Sequence, residues 1–98
     1  MPPKNDMTDG IFHLPVEITV GTARGVLEHA LDAMRAGETQ VLDFSGVQQL
    51  DSSALAVLFS CQREAKKLGI SLHYVDFPAN LLALARLYGV DGFFVDHS

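Results

Sequence analysis

Hydrophobic and polar positions alternate along this chain between short strand-like runs and helical stripes. Ile11 to Leu14 alternates around His13 and meets Pro15, a short strand that closes at the proline. A loop, Val16 to Thr19, follows. From Val20 to Ala36 the apolar residues Val26, Leu27, Ala30, Leu31 and Met34 recur at the spacing of a helix lying on a sheet, and Gly37 ends it. Either Thr19 or Thr22 can cap its start, because neither has an acid three residues on to form a reciprocal box. The run Val41 to Phe44, apolar except for Asp43, is a short buried strand that stops at the turn Ser45-Gly46.

The central helix has clear boundaries. Asp51, Ser52 and Ser53 offer side-chain oxygens to free amides directly before the apolar segment Ala54 to Phe59. Lys66 and Lys67 oppose the dipole in the last turn, and Gly69 supplies the left-handed residue that closes it. Ser71 to Val75 is a further strand with Leu72 and Tyr74 on one side and His73 on the other. Asp76-Phe77-Pro78 opens a third helix, with Leu81, Leu84, Ala85 and Tyr88 on one face and Gly89 as its stop. Phe93-Phe94 is either a short edge strand or a plug against the core. Strands joined by helical crossovers of this length run parallel with right-handed connections, so the expected architecture is a small α/β sandwich whose sheet is partly covered. Residues 11–98 form one domain, preceded by a polar leader, Met1 to Gly10, that is flexible or contributes an edge strand near Met7.

Composition narrows the function classes. At 98 residues and 48% hydrophobic, the chain has enough apolar surface for one core without disulfides or metal. Its formal charge of −5 argues against a sequence-independent grip on nucleic-acid phosphates and favours a basic or neutral partner surface. Cys61 is the one cysteine and lies in an apolar helical stretch, consistent with a buried reduced thiol and a cytoplasmic setting. No apolar run approaches the roughly 18 residues of a membrane span, and MPPKNDMTDG has no apolar signal core. Any membrane association is therefore expected to come through a partner.

Catalytic patterns are weak. Neither Ser45 nor Ser52 sits in a G-x-S-x-G frame. The histidines His13, His29, His73 and His97 and the single cysteine show no short zinc-ligand spacing, so no metal is expected. A Gly-rich phosphate loop with a following lysine is missing too, and no nucleotide or other cofactor is expected. An enzyme would need Ser52 or Cys61 as nucleophile, and neither has a local activating partner.

The first turns of the central helix, Ala54-Leu55-Ala56-Val57-Leu58-Phe59, are apolar on every side, whereas a helix covering a sheet normally shows water a polar face. Assigning Leu55, Leu58 and Phe59 to the core leaves Ala54, Val57 and Cys61 as the exposed or half-exposed group. That division is ambiguous by one position, and Cys61 can fall on either side. Either a partner covers the remaining face or the end of the chain does.

The stretch LDFSGVQQLDSSALAVLF, an apolar strand with D-x-S-G-V followed by L-D-S-S-A-L at a helix start, resembles a STAS domain. The chain is most similar to the small STAS subunit of Mla-type phospholipid-transport ABC systems, through LALARLYGVDGFF at Leu82 to Phe94 and A-K-K-x-G at Ala65 to Gly69. It also resembles bacterial antagonists of anti-sigma factors. The resemblance spans Ile11 to Phe94 and implies a STAS-like α/β fold, with a small mixed, mostly parallel sheet and helices packed mainly on one face.

That resemblance also implies a non-enzymatic binding subunit. Its partner would be the ATPase of the transport complex, reached in the cytoplasm or at the inner membrane, or alternatively an anti-sigma factor kinase. The partner-binding residues would be Asp51, Ser52, Ser53, Ala54, Val57 and Cys61. Ser52 matches the serine phosphorylated in the sporulation and stress branches; its purely structural role would be helix capping. A phosphate there is tolerated by the helix N-terminus, yet it adds charge beside Asp51 and an apolar docking face, and so weakens docking. The family usually has glycine where this chain has Ala54, whose methyl would narrow the room for a partner backbone.

Overall fold

The computed structural model describes residues 10–37 and 39–94. The expected leader before Gly10 and the tail after Phe94, including His97, lie outside them. Parallel pairing is the organising feature. Strands β1 (Ile11–His13), β3 (Val41–Asp43) and β5 (His73–Val75) form a three-stranded sheet in the order β1-β3-β5. Helix α1 (Ala23–Arg35) connects β1 to β3, and α2 (Ser53–Leu68) connects β3 to β5. Because the strand order advances in one direction, right-handed crossovers place both helices on the same face of the sheet, where they pack against each other. Helix α3 (Ala79–Leu87) follows β5, and a short 3-10 turn, Asp91–Phe93, ends the described chain.

Register explains which side is buried. Phe12, Leu42 and Tyr74 lie opposite one another across the three strands. Side chains alternate faces along a strand, so this row points to the helices, and the rows Ile11-Val41-His73 and His13-Asp43-Val75 point away. Leu42 is fully buried, while His13, His73 and Val75 are exposed. The core joins Leu42 and Phe44 to Val26, Ala30 and Met34 of α1, to Leu55, Leu58 and Cys61 of α2, and to Leu81 and Ala85 of α3.

Several local expectations hold. Helix α2 closes at Gly69, whose φ of 73° is left-handed, and the Ile70 amide reaches back to the Ala65 carbonyl across the end of the helix. Helix α3 begins after Pro78, buries Leu81 and Ala85, and is followed by the left-handed Gly89. Tyr88 departs from the expected face: at the helix end it is exposed, as Leu87 before it is. Phe94 is the plug rather than an edge strand. Its ring lies 5.1 Å from that of Phe59 and 5.8 Å from that of Phe77, and Gln62 Nε2 donates to both the Tyr74 hydroxyl at 2.9 Å and the Phe93 carbonyl at 2.6 Å.

One element differs from the expected loop at Val16 to Thr19. Beyond Pro15 the chain pairs again: β2 (Glu17–Ile18) lies parallel to β4 (Gln49–Leu50), with Glu17 opposite Gln49 and Ile18 opposite Leu50. Two residues are too few to create a period in the sequence. The pairing nevertheless buries Ile18 and brings the approach to α1 alongside the approach to α2.

Candidate protein-binding site

The paired approaches meet at Asp51. Its amide donates to the Ile18 carbonyl at 3.2 Å, continuing the β2-β4 alignment. Its carboxylate then serves both helices. Oδ1 accepts from the Ser53 amide at 2.8 Å, and Oδ2 accepts from the Val20 amide at 3.1 Å. These amide donors hold the Asp51 carboxyl below the ordinary range, the Ser53 amide contributing most and partial desolvation opposing it. On the α1 side, Thr22 Oγ1 accepts from the Thr19 amide and donates to the Glu17 carbonyl, both at 3.0 Å. Thr22 is thus the residue before α1, but its hydroxyl braces the loop and makes no cap bond.

Ser52 stands before α2 and is exposed, and its side chain makes no cap hydrogen bond. The capping carboxylate belongs to Asp51, so the structural role expected of Ser52 falls to its neighbour. The Ser52 hydroxyl is left facing solvent at the helix N-terminus, chemically available to an acceptor, a donor or a phosphoryl group.

The next residue, Ser53, lines a groove between α1 and α2 of about 480 Å³. Val20, Ala23, Leu27 and Leu31 form one wall, and Ser53, Ala56, Val57 and Ser60 the other. Val20 is 82% exposed at its mouth. Arg24 and Glu28 also border it, so both signs of charge are at hand.

The expected exposed group is corrected here. Ala54, Val57 and Cys61 are 1%, 4% and 0% exposed and belong to the core, Val57 presenting only an edge to the groove. The stripe open to the groove is Ser53, Ala56 and Ser60, each one position earlier. A one-residue step rotates a helix position by about 100°, enough to exchange an inward stripe for an outward one. The misassignment arose because alanine and serine are small and give little contrast in the pattern. Ala54 also points inward, so its methyl fills the core instead of standing on the exposed surface where crowding was expected. Val20, Leu27 and Leu31 line the groove and were not among the residues expected at the site. Their strongest signal was the spacing of Val20, Ala23, Leu27 and Leu31, an apolar line at helical steps that runs beside the core residues Val26, Ala30 and Met34.

Cys61 is no activated thiol. It is fully buried, and burial, with the nearby Glu64 carboxylate adding, pushes its pKa up to about 11. His13 is on the far side of the sheet, its Nδ1 2.8 Å from Asp43 Oδ2. Arg35 Nε donates to Glu64 at 3.0 Å, pinning the C-terminal part of α1 to α2 below the groove. Among the described residues no helix is long and apolar enough to cross a membrane.

Comparisons with known proteins establish the fold and the family. The chain has the fold of the Bacillus cell fate determinant SpoIIAA in its phosphorylated form, with a TM-score of 0.62 at 13% identity over 90% of this chain and 81% of that one. No curated protein matches the chain in sequence. The family described as MlaB, STAS domain matches residues 9–96, nearly the whole length. The chain belongs to the MlaB family of STAS domains.

Proposed function

We propose that this chain is the STAS subunit of a phospholipid-transport ABC complex, and that it docks on the ATPase subunit through the start of α2 and the α1-α2 groove. The observation that carries this is an apolar-walled groove that has the 82% exposed Val20 in its lining and, in its α2 wall, Ser53, the residue directly after the exposed Ser52. Apolar side chains left in water beside small residues on a helix favour the close approach of a partner surface. Membership of the MlaB family supports an ATPase as that partner. The chain then acts by binding, supporting assembly or activity of the ATPase from the cytoplasmic side, without catalysing a step itself.

Titration of the purified ATPase subunit with the native chain, with Ala56→Glu and with Ser52→Glu tests this. Both variants place charge on an exposed site and are expected to weaken binding about tenfold or more while the domain stays folded. Unchanged affinity in both would move the docking surface elsewhere. Val57→Asp is unsuitable as a control, because Val57 is a core residue and an unpaired buried charge unfolds a small domain.

A second possibility, an anti-sigma factor antagonist released by phosphorylation of Ser52, is favoured by the same exposed hydroxyl. Ser52→Ala discriminates. It leaves ATPase docking in place, but in the sigma-regulation case it abolishes kinase-dependent release from the anti-sigma factor.

A further inference from the structure

We infer that Asp51 is a positioning residue for the groove: its carboxylate locks the exposed Val20 to the start of α2, so that the two sides of the docking face are presented as one rigid surface. The inference rests on the groove being the docking face, and its central contact can be tested without any partner. Among the described residues, Val20 is tied to the α2 side by one hydrogen bond, from its amide to Asp51 Oδ2 at 3.1 Å. The other oxygen of the same carboxylate is fixed by the Ser53 amide at 2.8 Å, two residues along the chain.

The neighbours of Val20 are held differently. Thr19 and Thr22 are braced on the β2 side, through the Thr22 hydroxyl to the Glu17 carbonyl and the Thr19 hydroxyl to the Glu17 carboxylate at 2.7 Å. Val20 stands at the crest of this loop, and its side chain has little packing to hold it in place. A side chain so exposed contributes to docking only if the backbone beneath it is already ordered, because each rotor frozen on binding subtracts from affinity. A carboxylate is the suitable group for this task. It presents an acceptor oxygen to each of the two N–H groups, whereas an amide side chain in the same orientation sets its NH2, a donor, against one of them.

Asp51→Asn therefore has a specific expected pattern. The amide oxygen keeps the shorter bond to Ser53, and the Val20 amide is released. In NMR of the free chain, exchange of the Val20 amide with water rises about tenfold while the Ser53 and Leu58 amides are unchanged. The second measurement is a binding cycle on the ATPase subunit with Asp51→Asn, Val20→Ser and the double variant. Val20→Ser is expected to weaken binding several-fold in the native background and to have almost no effect once Asp51 is Asn. Unchanged exchange at Val20 would overturn the clamp. Faster exchange with fully additive binding effects would overturn its role in positioning the face. If Val20→Ser left ATPase affinity intact while Val20 exchange responded to Asp51→Asn, the clamp would stand and the docking face proposed above would fall.

Discussion

The two flanks of α2 receive opposite treatment. On one flank, Phe59 and Gln62 meet the end of the described chain: Phe94 closes over Phe59 and Phe77, Phe93 meets Phe59 at 5.6 Å, and Gln62 binds the Phe93 carbonyl. On the other flank, Ser53, Ala56 and Ser60 face a groove that the described residues leave open, with Val20 exposed at its rim. The start of α2 is apolar, and the domain covers one flank with bulky aromatics while the other shows small residues to the open groove. The aromatic flank is a stability element. The small-residue flank has the shape of an interface, since small side chains lose little when exposed and allow close approach when covered.

That contrast can be broken most forcefully at Phe94. Phe94→Ala removes an aromatic ring from a packed cluster and is expected to cost about 3 kcal/mol of stability in urea denaturation, a large share of what a small domain has. Partner affinity of the folded fraction should be unchanged; a parallel loss would mean that the two flanks are not independent. On the open flank, Ala56→Glu should do the reverse, weakening ATPase binding about tenfold while stability stays within about 1 kcal/mol of the native chain. If Ala56→Glu instead unfolded the domain, the groove would be closed in solution.

Cys61 reports on the core boundary between the flanks. With no exposure and a pKa pushed up to about 11, its thiol should resist a small alkylating agent at pH 8 in the folded chain and react once urea is added. Fast labelling without denaturant would mean that α2 opens locally. The smallest expected effect is on pH dependence. The carboxyl of Asp51 is lowered by its amide donors, and that of Glu64 chiefly by the hydrogen bond from Arg35. Carboxyls with depressed folded pKa values stabilise above the unfolded value, near pH 4, and lose that contribution as pH falls through the folded one. Urea midpoints should therefore decline below about pH 4, and less steeply in Asp51→Asn and Glu64→Gln; equal slopes would assign the decline to other groups.

Much of the frame was legible from residue order. The runs at Ile11, Val41 and Ser71 and the stripes between them specify strand-helix alternation and, through the crossover rule, parallel strands; that α1 and α2 share one face follows from the strand order β1-β3-β5, which the structure supplies. The end of α2 was equally readable, because Gly69 and the lysines before it act locally. The candidate site was legible only at its anchor, L-D-S-S at the start of α2. Which serine caps, and which stripe faces outward, was not. Asp51 took the capping amide because it lies at the end of β4, aligned with β2, a pairing too short to leave a pattern.

The sequence by itself determined the three longer strands, the three helices, their order and the family resemblance, and it pointed to the start of α2 as the candidate site. Tertiary structure decided what faces what. Hydropathy separates leucine from lysine but scarcely separates alanine from serine, so the rotation of α2 about its axis was set by how Leu55, Leu58 and Phe59 packed against partners far away in sequence. The same long-range packing set Val20 beside Asp51, 31 residues apart along the chain. A contact of that kind is created by two approaches to two helices meeting at one sheet edge, and no local pattern encodes it.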